Sequence, residues 1–403
     1  MKNLIKSAIL NRIRSKADHA SIPNATAVPP EVASATIVRE AQLDDFAQVN
    51  ALNVGLGQGA DSFQNWQRLW RDNPALQTGR TPRIGWVLES AGDIVGFLGS
   101  IPLGYRLNGK DIAAAATCRF AVQPPFRGMS HLLVTSFFRQ KDVDLFLNTT
   151  ATVAAGKIMT ALKATPLPQP EFGKVLFWVL RPGRFVKSVA SKAGIHPLGR
   201  WLVLGAGASV LAAERVLKGR TPRSRRGSIE VRSTSVSALG PEYDKFWAAA
   251  ESDPGKLHAR RSRELFRWHF EAPDSQRKAE VIGCYLQGKL LGYALVRHDP
   301  PAADGSCRSL LADLMVSGDE DVIVERLISA AYRNSKSRGA TVLEVMGFPT
   351  NIRRAMLRLR PYVREYPADP FFFKVRDKAL QEILAAESAW YATPYDGDST
   401  IWP

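Results

Sequence analysis

Two stretches of the chain repeat the same short order of apolar residues and glycine. Residues 85–100 read GWVLESAGDIVGFLGS, and residues 281–298 read VIGCYLQGKLLGYALVRH. In each stretch an apolar run leads through a short polar turn, at Gly92 or Gly288, into a second apolar run with a glycine of its own. This order predicts a β-hairpin at both places.

The segments around the two hairpins also correspond. An opening strand is predicted at TIVREAQ (36–42) and again at SIEVRST (228–234). A tryptophan-containing helix that ends at proline follows at FQNWQRLWRDNP (63–74) and at ELFRWHFEAP (264–273). After each hairpin come a further strand, a helix and a strand. The chain therefore predicts two copies of one α/β unit, about 195 residues apart.

The length of 403 residues also favours two domains. Turn-rich segments without apolar periodicity mark the boundaries between them. We predict a basic N-terminus with a flexible lead-in (1–35), a first domain (36–190), an apolar and basic linker (191–227), a second domain (228–376), and a C-terminal helix with an aromatic and acidic tail (377–403).

The net charge of +16 favours an anionic partner, although a basic surface without a specific partner explains it equally well. Basic residues are spread out except at 218–226, which makes nucleic acid a weak expectation. The three cysteines are far apart and lack metal-ligand spacing, so we predict a reducing, cytoplasmic location and no metal site.

Two segments bear on membrane contact. Residues 1–16 form a basic amphipathic pattern that suits an anionic lipid surface, and they lack the uninterrupted apolar core of a signal peptide. The apolar run 201–213 is shorter than the roughly 20 residues that span a bilayer. We therefore predict a linker helix, no transmembrane helix, and a protein that is either free in the cytoplasm or peripheral to a membrane.

The order of elements resembles the GNAT (N-acetyltransferase) superfamily, and the tandem arrangement resembles its two-copy members, such as mycothiol synthase-like proteins. The resemblance covers 36–190 and, more weakly, 228–376. It implies an α/β (α+β) fold of two mixed-sheet domains. It also implies an N-acyltransferase that moves an acyl group, acetyl being expected, from acetyl-CoA or another acyl-CoA to an amine.

Members of this superfamily bind acyl-CoA with the pattern R/Q-x-x-G-x-G/A between the fourth strand and the next helix. Here the strand AAAATCRFAV (113–122) leads into QPPFRGMSHL, where Arg127 takes the first position. Ser130 and Leu132 stand where the two small residues are expected. Backbone N–H groups and the positive helix end would bind the pyrophosphate. The alternative is an ordinary strand-to-helix turn capped by Ser130.

The resemblance also places the pantetheine arm between the fourth and fifth strands, where Asn148 would bond the acceptor or pantetheine, or merely cap the strand. The cofactor contacts it implies are Phe120, Ala121, Val122, Arg127, Gly128, Met129, Ser130, His131, Leu132 and Asn148. In the second copy Asp319, Glu320 and Asp321 would repel a pyrophosphate. We predict that this copy does not bind CoA and instead shapes the acceptor cleft.

The catalytic groups of relatives are missing from this chain. The segment 151–165 lacks the tyrosine that many members use as acid, and the fourth strand lacks their glutamate base. His131 and Ser130 are the remaining catalytic candidates, whereas Cys118 suits a buried strand position. A water-mediated base or an already neutral amine would need no such side chain, which leaves positioning and oxyanion stabilisation.

The tail WYATPYDGDSTIWP (390–403) is aromatic and acidic. In some tandem members the C-terminus returns to the first cleft and supplies a carboxylate base; alternatively, the tail docks on the surface through its tryptophans. The acceptor expected is an amine on a small molecule or a glycan precursor, and the basic surface suggests an acidic one. A non-catalytic scaffold protein is the second functional hypothesis.

Overall fold

The computed structural model describes residues 35–76, 83–192, 197–222, 228–251, 254–273, 275–318, 321–365 and 371–402, leaving out the side chains of 192 and 197–206. The predicted amphipathic N-terminus and nearly all of the lead-in lie outside these residues, as do Asp319 and Glu320. None of the helices in the described parts of the chain combines the length and apolarity that a bilayer crossing requires.

The first half of the chain builds most of one mixed sheet. Its strands are β1 (Thr36–Glu40), β2 (Gly85–Ser90), β3 (Asp93–Leu107), β4 (Lys110–Val122), β5 (Leu145–Asn148) and β6 (Thr165–Pro166). The predicted hairpin is β2–β3, and its two turn residues Ala91 and Gly92 both have positive φ, 51° and 86°. This is the turn geometry that matches the twist of paired strands. β4 pairs with β3 antiparallel and with β5 parallel.

The second half builds most of a second sheet with the same order. Its strands are β8 (Glu230–Ser235), β10 (Lys278–Leu286), β11 (Lys289–His298), β12 (Arg308–Val316), β13 (Val342–Val345) and β14 (Tyr362–Glu365). The predicted hairpin β10–β11 turns at Gln287 and Gly288, again with positive φ, 49° and 80°. A two-residue strand, β9 (His258–Ala259), pairs with β3 of the first sheet.

Besides β9, each half gives one strand to the interior of the other half's sheet. β7 (Lys174–Val179) follows the first copy in sequence but lies between β13 and β14 of the second sheet. β15 (Phe372–Val375) follows the second copy but lies between β5 and β6 of the first sheet. This reciprocal exchange was not predicted. The predicted domain limits describe continuous segments, whereas each sheet is built from both halves.

Helices cover the sheets on both faces. They are α1 (Phe46–Gly55), α2 (Phe63–Trp70), α3 (Ser130–Phe138), α4 (Val153–Ala161), α5 (Pro182–Lys192), α6 (Pro197–Leu217), α7 (Pro241–Ala250), α8 (Arg263–Phe270), α9 (Asp321–Ser337), α10 (Thr350–Arg358) and α11 (Lys378–Leu384). In the first copy Trp66 of α2 packs on Phe97, with ring centroids 5.7 Å apart. Phe137 of α3 packs on Phe146 at 5.3 Å, in a separate core cluster.

One apolar core joins the two copies. It contains Tyr105 and Leu147 of the first sheet together with Tyr293 of the second. At its centre Arg261 donates two hydrogen bonds to Asp313, at 2.9 and 3.0 Å, and neither side chain has any exposed surface. A charge buried this completely is tolerated only with its partner in place. Both residues belong to the second half, whereas Trp268 Nε1 bonds across the copies, donating to the Arg68 carbonyl at 2.8 Å.

Candidate active site

Strands β4 and β5 run side by side for three residue pairs and then separate. Their pairing ends at Ala116 and Leu147, although β4 continues to Val122. The other edge of β5 is already occupied, because Asn148 pairs with Phe372 of β15. Within the described parts of the chain, the last six residues of β4 thus have no strand beside them on this edge. The gap is where the resemblance places the pantetheine arm.

A β-bulge bends β4 along this gap. The register between β3 and β4 shifts so that Arg119 and Phe120 together stand opposite Leu98, and Arg119 takes a positive φ of 49°. The loop between α1 and α2 is fastened here: Gln58 Nε2 donates to the Phe120 carbonyl at 2.9 Å, and Arg119 Nη1 donates to the Gly59 carbonyl at 3.3 Å. This loop therefore covers one side of the gap.

The predicted acyl-CoA loop is a 3-10 turn, Pro124–Met129, that runs directly into α3. The Ser130 hydroxyl donates to the Arg127 carbonyl at 2.6 Å, so it closes this turn, and Met129 rather than Ser130 takes the N-cap position. His131 Nδ1 lies 3.0 Å from the Gly128 carbonyl. Both catalytic candidates are therefore engaged with the backbone of their own loop.

The tip of the loop is open and positive. Arg127 and Gly128 are exposed, and a Cβ added to Gly128 would meet no atom within 4 Å. The Arg127 side chain has no ion-pair partner in the portion of the chain that the structure covers. The Ser130 N–H, at the start of α3, is already bonded to the Arg127 carbonyl. Leu132 is half-buried there, beside this opening.

The remaining predicted cofactor contacts lie on both sides of the gap. Ala121 and Val122 are buried at the end of β4 in two different apolar clusters, and Met129 is half-buried against the cluster that contains Val122. Asn148 lies across the gap on β5, where its Oδ1 accepts the Thr150 N–H at 3.3 Å. That bond is the strand-end cap, and it leaves the amide nitrogen of Asn148 for another partner.

The C-terminal tail returns to the first copy and crosses the gap. Asp398 accepts hydrogen bonds from Thr149 Oγ1 at 2.9 Å and Thr150 Oγ1 at 3.1 Å, just beyond β5. On the opposite side of the gap the guanidinium of Arg119 lies 4.2 Å from the centre of the Trp402 ring. The interpretation that this tail docks on the surface is wrong, because Asp398 is only 4% exposed.

Asp398 is a buried carboxylate at the edge of the gap. Burial raises the pKa of Asp398 above its usual range, and hydrogen bonds from Thr149, Thr150 and Trp402 oppose that rise. Thr150 itself is exposed, so its hydroxyl connects the buried Asp398 carboxylate to solvent. The sequence pointed to the acidic tail but gave no signal for the two threonines that hold it.

A second tail carboxylate contacts the first sheet. Asp396 accepts a hydrogen bond from the Tyr105 hydroxyl at 2.8 Å and another from the Thr393 N–H at 2.7 Å. Burial raises the pKa of Asp396 to about 6. Cys118 lies close to Asp398, and burial together with that carboxylate raises the pKa of its thiol well above the ordinary value. Cys118 is therefore a core residue and a poor nucleophile.

The corresponding loop of the second copy differs. Asp321 opens α9 and forms an ion pair with Arg358 Nη1 at 2.5 Å, so its charge is already balanced. Beside the end of β12 lies a cavity of about 820 Å³, lined in part by Lys245, Lys289 and Tyr391. That this copy binds no CoA and shapes the acceptor cleft stays a prediction.

Comparison with known proteins identifies the fold. No family model and no curated protein sequence matches the chain. A GCN5-related N-acetyltransferase from Anabaena variabilis ATCC 29413 matches with TM-score 0.54 at 10% identity, over 84% of this chain and 72% of that one. A probable N-acyltransferase from Enterococcus faecalis V583 matches with TM-score 0.51 at 10% identity, over 84% and 72%.

Saccharomyces cerevisiae N-myristoyltransferase with bound myristoyl-CoA matches with TM-score 0.54 at 12% identity, over 88% of this chain and 82% of that one. These neighbours are all named as acyltransferases, and identities this low bear on the fold alone. The chain has the α/β fold of the GCN5-related N-acetyltransferases, in two copies that exchange a strand.

Proposed function

We propose that this protein is an acyl-CoA-dependent N-acyltransferase, with acetyl-CoA as the donor, that acylates the amine of a second substrate. The observation that carries the proposal is the position of Asp398. This buried carboxylate is held by Thr149 and Thr150 at one side of the β4–β5 gap. The acyl-CoA loop, with Arg127 open, follows the other side. The acyltransferases that share the fold support the same conclusion.

The residues present fit an acyl-CoA. Arg127 and the N–H groups at the start of α3 would bind the pyrophosphate, and the open space at Gly128 lets an anion approach the backbone. Phe120, Ala121 and Val122 border the gap on one side and Asn148 on the other, in reach of the amides of pantetheine.

Asp398 supplies the proton transfer in this proposal. The amine nitrogen attacks the thioester carbonyl carbon, the new C–N bond forms, and the C–S bond breaks to release a thiolate. Asp398 accepts the proton from the nitrogen and returns it to the sulfur, so that amide and free thiol are the products. Thr149 and Thr150 orient the carboxylate. Ser130 and His131 bond to the loop backbone, so we assign them to cofactor binding rather than to catalysis.

The second copy supplies the acceptor side in this proposal. Its cavity beside β12 is lined by three lysines and one glutamate, with Phe246 and Leu290 as apolar surface; the charged residues are Lys245, Lys256, Lys289 and Glu242. Lysine side chains attract carboxylates and phosphates. The acceptor we propose is therefore an acidic small molecule or glycan precursor that carries an amine.

Release of free thiol tests the proposal. The protein is mixed with acetyl-CoA or myristoyl-CoA and a panel of acidic amines, and thiol is followed by a colorimetric reagent. We expect turnover with acetyl-CoA and at least one amine. Asp398→Asn should still bind acetyl-CoA but turn over about 100-fold more slowly. Asp93→Asn, an exposed residue in the β2–β3 hairpin, is the control.

The outcomes separate the two parts of the proposal. If Asp398→Asn turns over as fast as wild type, Asp398 is not the base, but the acyltransferase activity itself still stands. No thiol release with either donor and any amine contradicts the acyltransferase itself.

A further inference from the structure

The segment that contains the helical hairpin of α5 and α6 has an unusual charge. Residues 181–226 carry eleven lysines and arginines and a single acidic residue, Glu214. This segment therefore holds +10 of the net +16 of the whole chain, of which the hairpin itself, 182–217, holds +4. Among the described side chains, Arg184 and Lys187 are exposed on α5, whereas Lys218, exposed just after α6, is paired with Glu214 at 2.7 Å. Such a concentration of one sign points to an anionic partner.

The same hairpin also exposes apolar side chains. Val210, Val216 and Leu217 of α6 are 61%, 78% and 84% exposed. Residues three, four and seven apart share one face of a helix, so these side chains and the exposed Ala213 form one stripe. Val216 and Leu217 are the two most exposed large apolar side chains among the residues that the structure describes. An isolated exposed valine is ordinary, whereas a stripe along one helix indicates a contact.

The opposite side of α6 is attached to the protein. Gly207 lies so close to α5 that a Cβ there would come within 3.2 Å of Val186 Cγ1. Further along, Arg215 Nη2 donates to the hydroxyl of Tyr332 on α9 at 2.7 Å. The apolar stripe therefore faces away from the body of the protein on a helix whose inner side is fixed.

We propose that the α5–α6 hairpin is a docking surface for an anionic lipid membrane. The apolar stripe of α6 enters the interface between the headgroups and the acyl chains, while the exposed Arg184 and Lys187 of α5 bind lipid phosphates. A nucleic acid could bind the basic side chains, but it would not bury the apolar Val216 and Leu217. The combination of an apolar stripe with a basic segment is the pattern of helices that lie in the membrane plane. This inference does not depend on the proposed acyltransferase activity.

Vesicle flotation tests the docking surface. The full-length protein is mixed with phosphatidylcholine vesicles, with and without phosphatidylglycerol, and the floated fraction is measured at low and high salt. We expect wild type to float only with the anionic vesicles and to be released by salt. Val216→Asp/Leu217→Asp should weaken binding at least about 10-fold. Arg184→Glu/Lys187→Glu should weaken it by roughly 5-fold for each charge reversed.

The matched control replaces two apolar residues of similar character elsewhere. Val322 of α9 and Ile383 of α11 are 55% and 42% exposed, so Val322→Asp/Ile383→Asp should bind vesicles as wild type does. Far-UV circular dichroism checks that all variants are folded. Wild type that stays unbound with anionic vesicles overturns the proposal, and so does a Val216→Asp/Leu217→Asp protein that floats as well as wild type.

Discussion

Asp398 and Thr149 are 249 positions apart in the sequence and bond each other twice. The threonine hydroxyl donates to the Asp398 carboxylate at 2.9 Å, and the Asp398 N–H lies 3.3 Å from the same hydroxyl oxygen. The last residues of the chain are thereby tied to the end of β5, beside the gap in the first sheet. Because two bonds already fix the position of Asp398, its side chain loses little conformational entropy when it accepts a proton. A pre-organised catalytic base has this property.

Gly397 is the residue whose replacement should release the tail. It has φ +79°, and a Cβ there would lie 2.3 Å from Thr149 Cγ2. Gly397→Ala should therefore destabilise the protein by about 2–4 kcal/mol, from backbone strain and overpacking together. Urea denaturation measures this. Gly92→Ala is the control, because Gly92 has φ +86° with open space around it and should cost only about 1 kcal/mol. Equal losses for the two would show that the tail is not packed on Thr149.

The strand exchange should make the two copies unfold together. Trp178 of β7 belongs to the first half in sequence, yet it is fully buried in the second sheet, and its Nε1 donates to the Leu359 carbonyl at 3.1 Å. Trp178→Ala should lower stability by about 3–5 kcal/mol and keep a single transition by fluorescence and circular dichroism. Two separate transitions, in wild type or variant, would contradict the exchange.

His269 should make stability fall on acidification. Its Nε2 lies 2.6 Å from Thr400 Oγ1 of the tail, and burial, with help from nearby Arg68, holds the pKa of the ring well below its usual value. The unfolded chain takes up a proton near about pH 6.5, so the stability His269 contributes is present above that pH and is lost as pH falls below it, by about 1.4 kcal/mol per unit.

The comparison with His269→Gln isolates this effect. Asp396, whose pKa is raised to about 6, changes stability in the opposite direction, but it is present in both proteins. Urea midpoints measured between about pH 7.5 and pH 5 should fall more steeply for wild type. Parallel curves would mean that His269 is protonated as readily in the folded protein as in the unfolded chain.

The sequence predicts the local elements of this fold well, because hairpins and strand-to-helix loops depend on residues that are neighbours in the sequence. The turns at Gly92 and Gly288 and the loop at Arg127 all lie where their patterns place them. The exchange of β7 and β15 could not be predicted, since KVLFWV and FFKV are apolar runs that suit any sheet. Sheet membership is decided by contacts across the whole chain.

The candidate site was only partly predictable for the same reason. The acidic residues of the tail were recognisable, but their partners are distant: Thr149 and Thr150 for Asp398, and Tyr105 for Asp396. The hydroxyl of Ser130 was expected to serve the helix or a phosphate and instead closes the turn before it. Residue type indicates which bonds a side chain can make, whereas the fold decides which partner it meets.

Binding of acyl-CoA tests the central claim most directly, since it requires no knowledge of the acceptor. We expect calorimetric titration of the full-length protein with acetyl-CoA to show one site of micromolar affinity. Arg127→Ala should weaken it about 10-fold, and Arg139→Ala, an exposed arginine at the other end of α3, should leave it unchanged. Absence of heat with acetyl-CoA and with long-chain acyl-CoA at millimolar concentration would contradict the account.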